Sequence, residues 1–170
     1  DDRIALLGQN GNGKSTFAKL IAGKLAPIVG EVFGLKKVEV GYFAQHQLDE
    51  LAPDRTPYAY MSDLMPDGTE AQRRAKLGAF GFGVVKADTK CARLSGGEKA
   101  RLLLMLTAFR APHLLILDEP TNHLDVDSRE ALLRALNEYE GAVILISHDR
   151  HLVDASADRL WVVRGGSVKP

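Results

Sequence analysis

The first residues that could do chemistry form a glycine-rich stretch near the start of the chain. Gly8, Gly13, Lys14 and Ser15 match the phosphate-binding pattern GxxxxGK followed by Ser or Thr. In such a loop, backbone N–H groups and a helix N-terminus bind phosphate oxygens. The lysine reaches the β- and γ-phosphates, and the serine hydroxyl coordinates Mg²⁺. A chain of this composition contains the pattern by chance only about 0.006 times, so we favour a nucleotide site over an ordinary turn.

The predicted phosphate site covers the whole loop and the start of the next element. Its residues are Gly8, Gln9, Asn10, Gly11, Asn12, Gly13, Lys14, Ser15 and Thr16.

Two adjacent carboxylates follow an apolar run in the second half of the chain. Asp118 and Glu119 come directly after Leu114–Leu117, which has the composition of a buried strand. Ligands bind at the carboxyl ends of such strands. Asp118 suits a Mg²⁺-holding role, directly or through water, and Glu119 suits a general base for an attacking water. The alternative is a solvated acidic turn before Pro120, which the phosphate-binding loop makes less favourable.

A third stretch lies at the start of a predicted central helix. Ser95 is a typical N-cap, and Gly96 and Gly97 leave backbone N–H groups available to an anion. Because the domain already has one phosphate-binding loop, a second anion site suggests a second nucleotide or a partner's nucleotide. An ordinary helix start is equally compatible with these residues alone.

The elements that must position these residues alternate in the outer parts of the chain. We predict strands and helices from apolar periodicity and from the caps and prolines that bound them. The predicted strands are Arg3–Leu7, edge strands around Glu31–Phe33 and Val38–Phe43, then Leu114–Leu117, Ala142–Ile146 and Arg159–Val163. The predicted flanking helices carry Phe17, Leu20, Ile21 and Leu25 before Pro27, run from a cap at Asp127 to about Tyr139, and begin at about Arg150.

The middle of the chain is predicted to be helical. Thr56 and Thr69 are typical N-caps, the second helix runs to about Phe80, and the helix capped by Ser95 reaches Arg110. We therefore expect one α/β domain over residues 1–170, with a core of residues 1–45 and 111–170. Its mainly parallel sheet is flanked by helices and has antiparallel strands at the edge. Residues 46–110, approximately, form an inserted helical subdomain.

Composition excludes several classes of protein. The 170 residues include 22 Lys plus Arg and 22 Asp plus Glu, so bulk charge gives no sign of nucleic-acid binding. No apolar run approaches the roughly 20 residues that span a bilayer. A single cysteine, Cys91, excludes an internal disulfide. We expect a cytoplasmic protein, and because the chain opens at Asp1, we expect a piece of a longer one.

The stretch around Ser95 also resembles a family motif. Leu94–Glu98 reads LSGGE, which resembles the signature motif of ATP-binding cassette (ABC) ATPases. In the family's order, Gln45 resembles the Q-loop glutamine, Thr121–Asp125 the D-loop and His148 the switch histidine. The resemblance implies the P-loop NTPase fold, ATP hydrolysis and Mg²⁺. It also implies head-to-tail packing, in which the signature of one cassette closes on the nucleotide bound to a second cassette.

The resemblance also implies individual roles. Glu119, His148 and Gln45 would be catalytic, with His148 holding the γ-phosphate, Glu119 and the water in line. Ser15, Gln45 and Asp118 would hold the metal. The residues facing the partner's nucleotide would be Ser95, Gly96, Gly97, Glu98 and Asp125. Without the other motifs, His148 is better explained as a histidine with local hydrogen-bond partners at a strand end.

The amino-acid sequence around these motifs is similar to that of the ABC-F branch of the family. Gly41–Gln47, Pro120–Asp125 and Ser147–His151 carry that similarity. ABC-F proteins are soluble, hold two cassettes in one chain, and in many cases act on the ribosome near the exit-site tRNA. The stretch between Gln45 and Ser95 has no room for extra arm helices, so the chain resembles the second cassette. The alternatives are the ATPase subunit of an ABC membrane transporter and an ATP-gated clamp that hardly hydrolyses.

Overall fold

Six strands form one sheet that runs through the molecule. The computed structural model describes residues 2–34, 38–110, 112–122 and 124–170, and all of these except 45 and 131 with their side chains. The strands are β1 (Arg3–Leu7), β2 (Val40–Ala44), β3 (Leu114–Asp118), β4 (Ala142–Ile146), β5 (Arg159–Arg164) and β6 (Ser167–Lys169). Their order across the sheet is β2-β3-β4-β1-β5-β6. β1 to β5 are mutually parallel, and β6 pairs antiparallel with β5 at the edge. The predicted fold class is confirmed.

Seven α-helices accompany the sheet in the described part of the chain. They are α1 (Lys14–Ile21), α2 (Pro57–Leu64), α3 (Glu70–Ala79), α4 (Val84–Ala87), α5 (Gly96–Ala108), α6 (Val126–Glu138) and α7 (Arg150–Ser156). Two 3-10 segments, Gln45–Glu50 and Cys91–Arg93, complete the elements. Thr56, Thr69 and Ser95 cap α2, α3 and α5 as predicted, each accepting a backbone N–H with its side-chain oxygen. No helix within the described ranges combines the length and apolarity needed to cross a bilayer.

The apolar strands are buried on both faces, which explains why their sequences do not alternate. Leu115 and Leu117 of β3 pack into one cluster with Leu104 of α5 and Leu136 of α6. Ile116, between them, faces the opposite cluster with Ala18 of α1. Helices therefore pack against both faces of β3. This packing positions the residues at its carboxyl end, Asp118 and Glu119.

The middle of the chain has a buried cluster of its own. α2, α3 and the 3-10 segment at Cys91 pack around α5, and the fully buried members of the cluster include Met61, Leu77, Leu102 and Met105. α5 contributes to this cluster with one side and to the sheet cluster with the other, through Ala100 and Leu104. The helix that begins at Ser95 is thus anchored in both parts of the molecule.

The predicted strand at Glu31–Phe33 is wrong. These residues pair with no strand in the described part of the chain, and Phe33 is 90% exposed. Alternation of apolar residues indicates a strand only where a neighbouring strand accepts its hydrogen bonds. β2 begins at Val40, two residues later than predicted, and takes β3 as its parallel partner.

Two helix boundaries also differ from the predictions. α1 ends at Ile21, and Leu25 is exposed, because Gly23 adopts φ +67° and closes a Schellman motif. In that motif the Lys24 N–H donates to the Lys19 carbonyl, and the Gly23 N–H donates to the Leu20 carbonyl. The α6 cap is Asp125, not Asp127: the Asp125 carboxylate accepts the Ser128 N–H at 2.8 Å.

Candidate functional site

The glycine-rich loop connects β1 to α1 and lies against β5. A Cβ on Gly8, whose φ is +153°, would come within 2.5 Å of the Val163 carbonyl oxygen, so only glycine fits this close approach. The Asn12 side-chain amide donates to the same carbonyl at 3.2 Å. Gly11 and Gly13 also have positive φ, at +85° and +93°. The loop is therefore curled and fixed to the sheet, as binding of successive phosphate oxygens requires.

Lys14 is the first residue of α1 and is buried, with 8% of its surface exposed. Its ammonium donates to the carbonyls of Gly8, at 2.6 Å, and Gln9, at 3.3 Å. The charge thus lies over the loop, where an anion can replace the carbonyls. α1 has no acidic residue in its first turn and no side-chain cap, so the partial positive charge of its N-terminus is not offset.

Asp118 ends β3 and is almost completely buried. Its Oδ2 accepts a hydrogen bond of 3.1 Å from the hydroxyl of Tyr42 on β2. Burial and the neighbouring Asp118 carboxylate raise the pKa of Tyr42 well above its ordinary value, so the phenol keeps its proton and donates. The sequence analysis did not identify Tyr42, because its partner lies 76 residues away along the chain.

Glu119 adopts a backbone conformation that few side chains tolerate. Its φ is +52°, the one positive φ outside glycine among the described residues. Its N–H donates to the Ile146 carbonyl at 2.8 Å, which holds the turn against the end of β4. Strained backbone of this kind concentrates at functional sites, where the surrounding structure imposes it.

The Glu119 carboxylate faces His148. The Oε1 atom lies 3.4 Å from Nε2 of His148, and the same Nε2 lies 3.0 Å from Oδ1 of Asn10 in the glycine-rich loop. Burial raises the pKa of Glu119, the nearby Asp118 charge raises it further, and the charges of His148 and Lys14 offset part of the rise. A carboxylate with a raised pKa, next to a histidine, has the properties of a general base.

A cavity of about 550 Å³ lies beside these groups. Ser15, Asp118 and Glu119 line it, together with three residues to which the sequence had assigned no individual role: His46, Asp49 and Asn122. A hydroxyl and a carboxylate are hard oxygen donors that suit Mg²⁺, which takes its remaining ligands from phosphates and water. Among the described residues, no three His, Cys, Asp or Glu side chains form a group that could hold a metal ion.

Gln45 begins the 3-10 segment directly after β2, at the sheet edge that carries Asp118. Its side chain lies outside the described atoms, and so does all of His123. Gln9 lies in the glycine-rich loop, where its carbonyl accepts from Lys14, and Thr16 follows Ser15 in α1.

The signature residues lie elsewhere. Ser95 and Glu98 form a capping box, in which the Ser95 N–H donates to Glu98 at 2.8 Å and the Glu98 N–H donates to Ser95 Oγ at 3.2 Å. Lys86 lies 2.8 Å from the other Glu98 oxygen. Burial raises the pKa of Glu98, but Lys86 and Ser95 outweigh this effect and bring it below the usual range. Ser95, Gly96, Gly97 and Glu98 do not line the cavity beside Ser15 in the described structure.

The segment that resembles the D-loop contacts the loop that carries His148. Hydroxyl oxygens of Thr121 and Ser147, both buried, lie 3.5 Å apart, and Ser147 Oγ accepts the Asp149 N–H. Asp125 caps α6, and its hydrogen bond from Ser128 lowers the pKa of its carboxyl. The structure thus brings together residues 8–16, Asp118, Glu119 and His148, but keeps Asp125 and the signature residues apart from them.

Comparison with known proteins gives the family. The ABC transporter family model matches residues 1–122. The chain is 51% identical over 168 residues to probable ATP-binding protein YheS of Escherichia coli K12, covering 99% of this chain and 26% of that protein. It is 45% identical over 170 residues to ABC transporter F family member 3 of Arabidopsis thaliana, covering 100% of this chain and 24% of that protein.

A solved structure agrees with the sequence relatives. The archaeal ribosome recycling factor, in complex with a ribosomal stalk protein, superposes with a TM-score of 0.76 at 28% identity, over 95% of this chain and 31% of that chain. This chain spans about a quarter of the length of the curated relatives that it matches. The curated relatives include ABC-F members and favour that branch over the ATPase subunit of a membrane transporter. The chain belongs to the ABC transporter family, a family of ATPases, and is similar to ABC-F members of that family.

Proposed function

We propose that this chain binds ATP with Mg²⁺ in the cavity beside Ser15 and Asp118 and hydrolyses it as one half of a head-to-tail pair of cassettes. The observation that carries the proposal is the convergence of Lys14, Asp118, Glu119 and His148 at the carboxyl ends of β1, β3 and β4. Ligands of open α/β sheets bind at this end of the strands.

Each residue has a distinct part in the proposed reaction. Backbone N–H groups of residues 9–16 and the Lys14 ammonium bind the triphosphate, whose oxygens replace the carbonyls that now accept from Lys14. Ser15, Asp118 and Gln45 would hold the magnesium ion, which would offset negative charge on the phosphates. Glu119 takes the proton of the attacking water, and His148 holds the γ-phosphate and Glu119 in line.

The signature residues support a composite site. Ser95 caps the 13-residue helix that Gly96 and Gly97 begin, and the Glu98 carboxylate beside them is paired with Lys86. Because Lys86 offsets the charge of Glu98, the carboxylate repels an approaching phosphate less strongly. The signature residues do not line the cavity beside Ser15, so the phosphate would come from elsewhere. A second cassette, in the same protein or in a second copy, would bring its nucleotide to Ser95–Glu98 and to the Asp125 loop.

The partner moved by this cycle is proposed from the relatives. The similarity to ABC-F proteins and to a ribosome recycling factor supports a ribosome, with its tRNA, as the target in the cytoplasm. Co-sedimentation with ribosomes tests this step. A Glu119→Gln form of the protein that contains this cassette should sediment with ribosomes when ATP is present, and to a much smaller extent without ATP.

Turnover per chain, measured over a range of concentrations, tests the composite site. Hydrolysis per chain should rise with concentration as cassettes pair, because a signature motif acts only on a second phosphate-binding loop. Full turnover where the chain is strictly monomeric would contradict the composite site. Chains with Glu119→Gln measure the background at every concentration.

A further inference from the structure

The hydroxyl of Tyr42 contacts the buried carboxylate that faces the cavity. Tyr42 is 6% exposed and Asp118 is 9% exposed, and the hydroxyl lies 3.1 Å from Oδ2. A buried carboxylate without a hydrogen-bond partner would lower the free energy of unfolding. The Tyr42 hydroxyl supplies such a partner to Asp118.

The strand register brings the two side chains together. Ala44 of β2 lies opposite Asp118 of β3, and Tyr42 lies two residues earlier, opposite Ile116. Residues two apart on a strand share one face of the sheet, so Tyr42 and Asp118 are diagonal neighbours. The ring of Tyr42 is long enough to span this diagonal and bring its hydroxyl to the carboxylate.

The hydrogen bond restricts how the carboxylate can rotate. With Oδ2 accepting from the phenol, rotation about the Cβ–Cγ bond of Asp118 would break the contact. The ammonium of Lys24, 5.4 Å from the centre of the Tyr42 ring, adds a positive charge over the ring and favours the phenol as a donor. Asp118 lines the cavity that Ser15 also lines.

We propose that Tyr42 is a positioning residue that fixes the Asp118 carboxylate so that one oxygen is presented to the magnesium ion of the bound nucleotide. Hydrogen bonds to a ligating carboxylate orient it, and their removal commonly weakens metal binding by about 10-fold to 100-fold. The proposal rests on the proposed function, since it takes a magnesium–nucleotide complex to occupy this cavity.

The test separates nucleotide affinity from magnesium affinity. A fluorescent, non-hydrolysable ATP analogue is titrated into the chain in EDTA and at increasing free Mg²⁺. Tyr42→Phe removes the hydroxyl and keeps the ring. We expect the dissociation constant in EDTA to stay within about twofold of the unmodified chain and the Mg²⁺ midpoint to rise by about 10-fold.

Tyr58→Phe is the matched control. Tyr58 lies in α2 against Arg74 and does not line the cavity. Removal of its hydroxyl should therefore leave the dissociation constant in EDTA and the Mg²⁺ midpoint unchanged. A Tyr42→Phe chain with an unchanged Mg²⁺ midpoint would overturn the proposal. Equal losses of affinity in EDTA and in Mg²⁺ would also overturn it, because the phenol would then support the fold and not the metal.

A measurement on the unmodified chain covers the case in which Tyr42→Phe does not fold. With the four tyrosines labelled with ¹³C at Cζ, adding Mg²⁺ to the nucleotide-bound chain should shift the Tyr42 signal and leave that of Tyr58 in place. A Tyr42 signal that ignores Mg²⁺ contradicts the positioning role. Absence of nucleotide binding by the unmodified chain, in EDTA and in Mg²⁺ alike, would instead contradict the proposed function.

Discussion

Nε2 of His148 lies 3.4 Å from Oε1 of Glu119, although the two residues belong to loops that follow different strands. β3 and β4 are adjacent and parallel, so the loops after them meet at one edge of the sheet. The same imidazole nitrogen lies 3.0 Å from Oδ1 of Asn10, which brings in the loop after β1. The His148 side chain thus joins the proposed general base to the glycine-rich loop.

Replacing Glu119 by Gln should slow hydrolysis and preserve nucleotide binding. Glutamine keeps the shape of the side chain but cannot accept the proton of the attacking water. General-base catalysis typically contributes about 10²-fold to 10⁴-fold, so a loss of at least about 100-fold in turnover is expected. Phosphate release measures turnover, and a fluorescent ATP analogue measures binding. Turnover equal to that of the unmodified chain would remove Glu119 from this role.

The same substitution should also raise thermal stability at neutral and alkaline pH. Burial raises the pKa of Glu119, so the folded chain binds this proton more tightly than the unfolded chain does. The charged carboxylate therefore destabilises the fold above the raised pKa, and this penalty is absent below the usual glutamate pKa. Melting temperatures of Glu119→Gln and the unmodified chain should differ at about pH 8 and converge at about pH 4. If Glu119→Gln melted at a lower temperature than the unmodified chain at about pH 8, the charged Glu119 carboxylate would not destabilise the fold.

The backbone at Glu119 predicts a difference between two variants that both remove the carboxylate. At φ +52°, alanine keeps the steric cost of the left-handed conformation and glycine does not. Glu119→Gly should therefore be more stable than Glu119→Ala by about 1 kcal/mol, even though glycine gains more freedom when unfolded. Urea unfolding of the two variants measures the difference. An alanine variant as stable as the glycine variant would show that the strain is absent.

The capping box at the signature helix predicts an acid-sensitive contribution to stability. Contacts with Lys86 and Ser95 bring the pKa of Glu98 below its usual value, so its stabilisation is present above the unfolded pKa and is lost as pH falls through the folded one. Glu98→Gln should lower the melting temperature at about pH 7 and have little effect at about pH 3. Lys76→Ala, at an exposed position of α3, is the control for removing a surface charge. A Glu98→Gln effect that is the same at both pH values would contradict this assignment.

Features that depend on local sequence could be predicted without knowledge of distant residues. Ser95 and Thr69 were correctly predicted as helix caps. The spacing of Gly8, Lys14 and Ser15 predicts a phosphate-binding loop, and the structure shows that these residues lie in a curled loop and at the start of α1. The same local signals failed where a distant partner or a competing cap decided the outcome. Phe33 pairs with no strand in the ranges that the structure describes, and α1 ends before Leu25, with Gly23 closing its Schellman motif.

Contacts between distant segments could not be predicted from one sequence. The Tyr42–Asp118 hydrogen bond depends on the register of β2 against β3, and the Lys86–Glu98 ion pair depends on how α4 lies beside α5. The positive φ of Glu119 occurs in a turn that its N–H bonds to the Ile146 carbonyl of β4. Residue type gave no signal for any of these three features, because each is set by tertiary packing.

The affinity of a Lys14→Ala chain for ATP is the sharpest test of nucleotide binding at the glycine-rich loop. Lys14 is buried over the loop, and its ammonium would exchange two carbonyl contacts for phosphate contacts. Lys19→Ala, in the last turn of the same helix, removes an equal charge away from the loop and serves as the control. We predict that Lys14→Ala weakens binding of ATP with Mg²⁺ by about 100-fold, or about 2.7 kcal/mol, and that Lys19→Ala leaves it unchanged. Equal affinity in the Lys14→Ala chain and the unmodified chain would contradict the account.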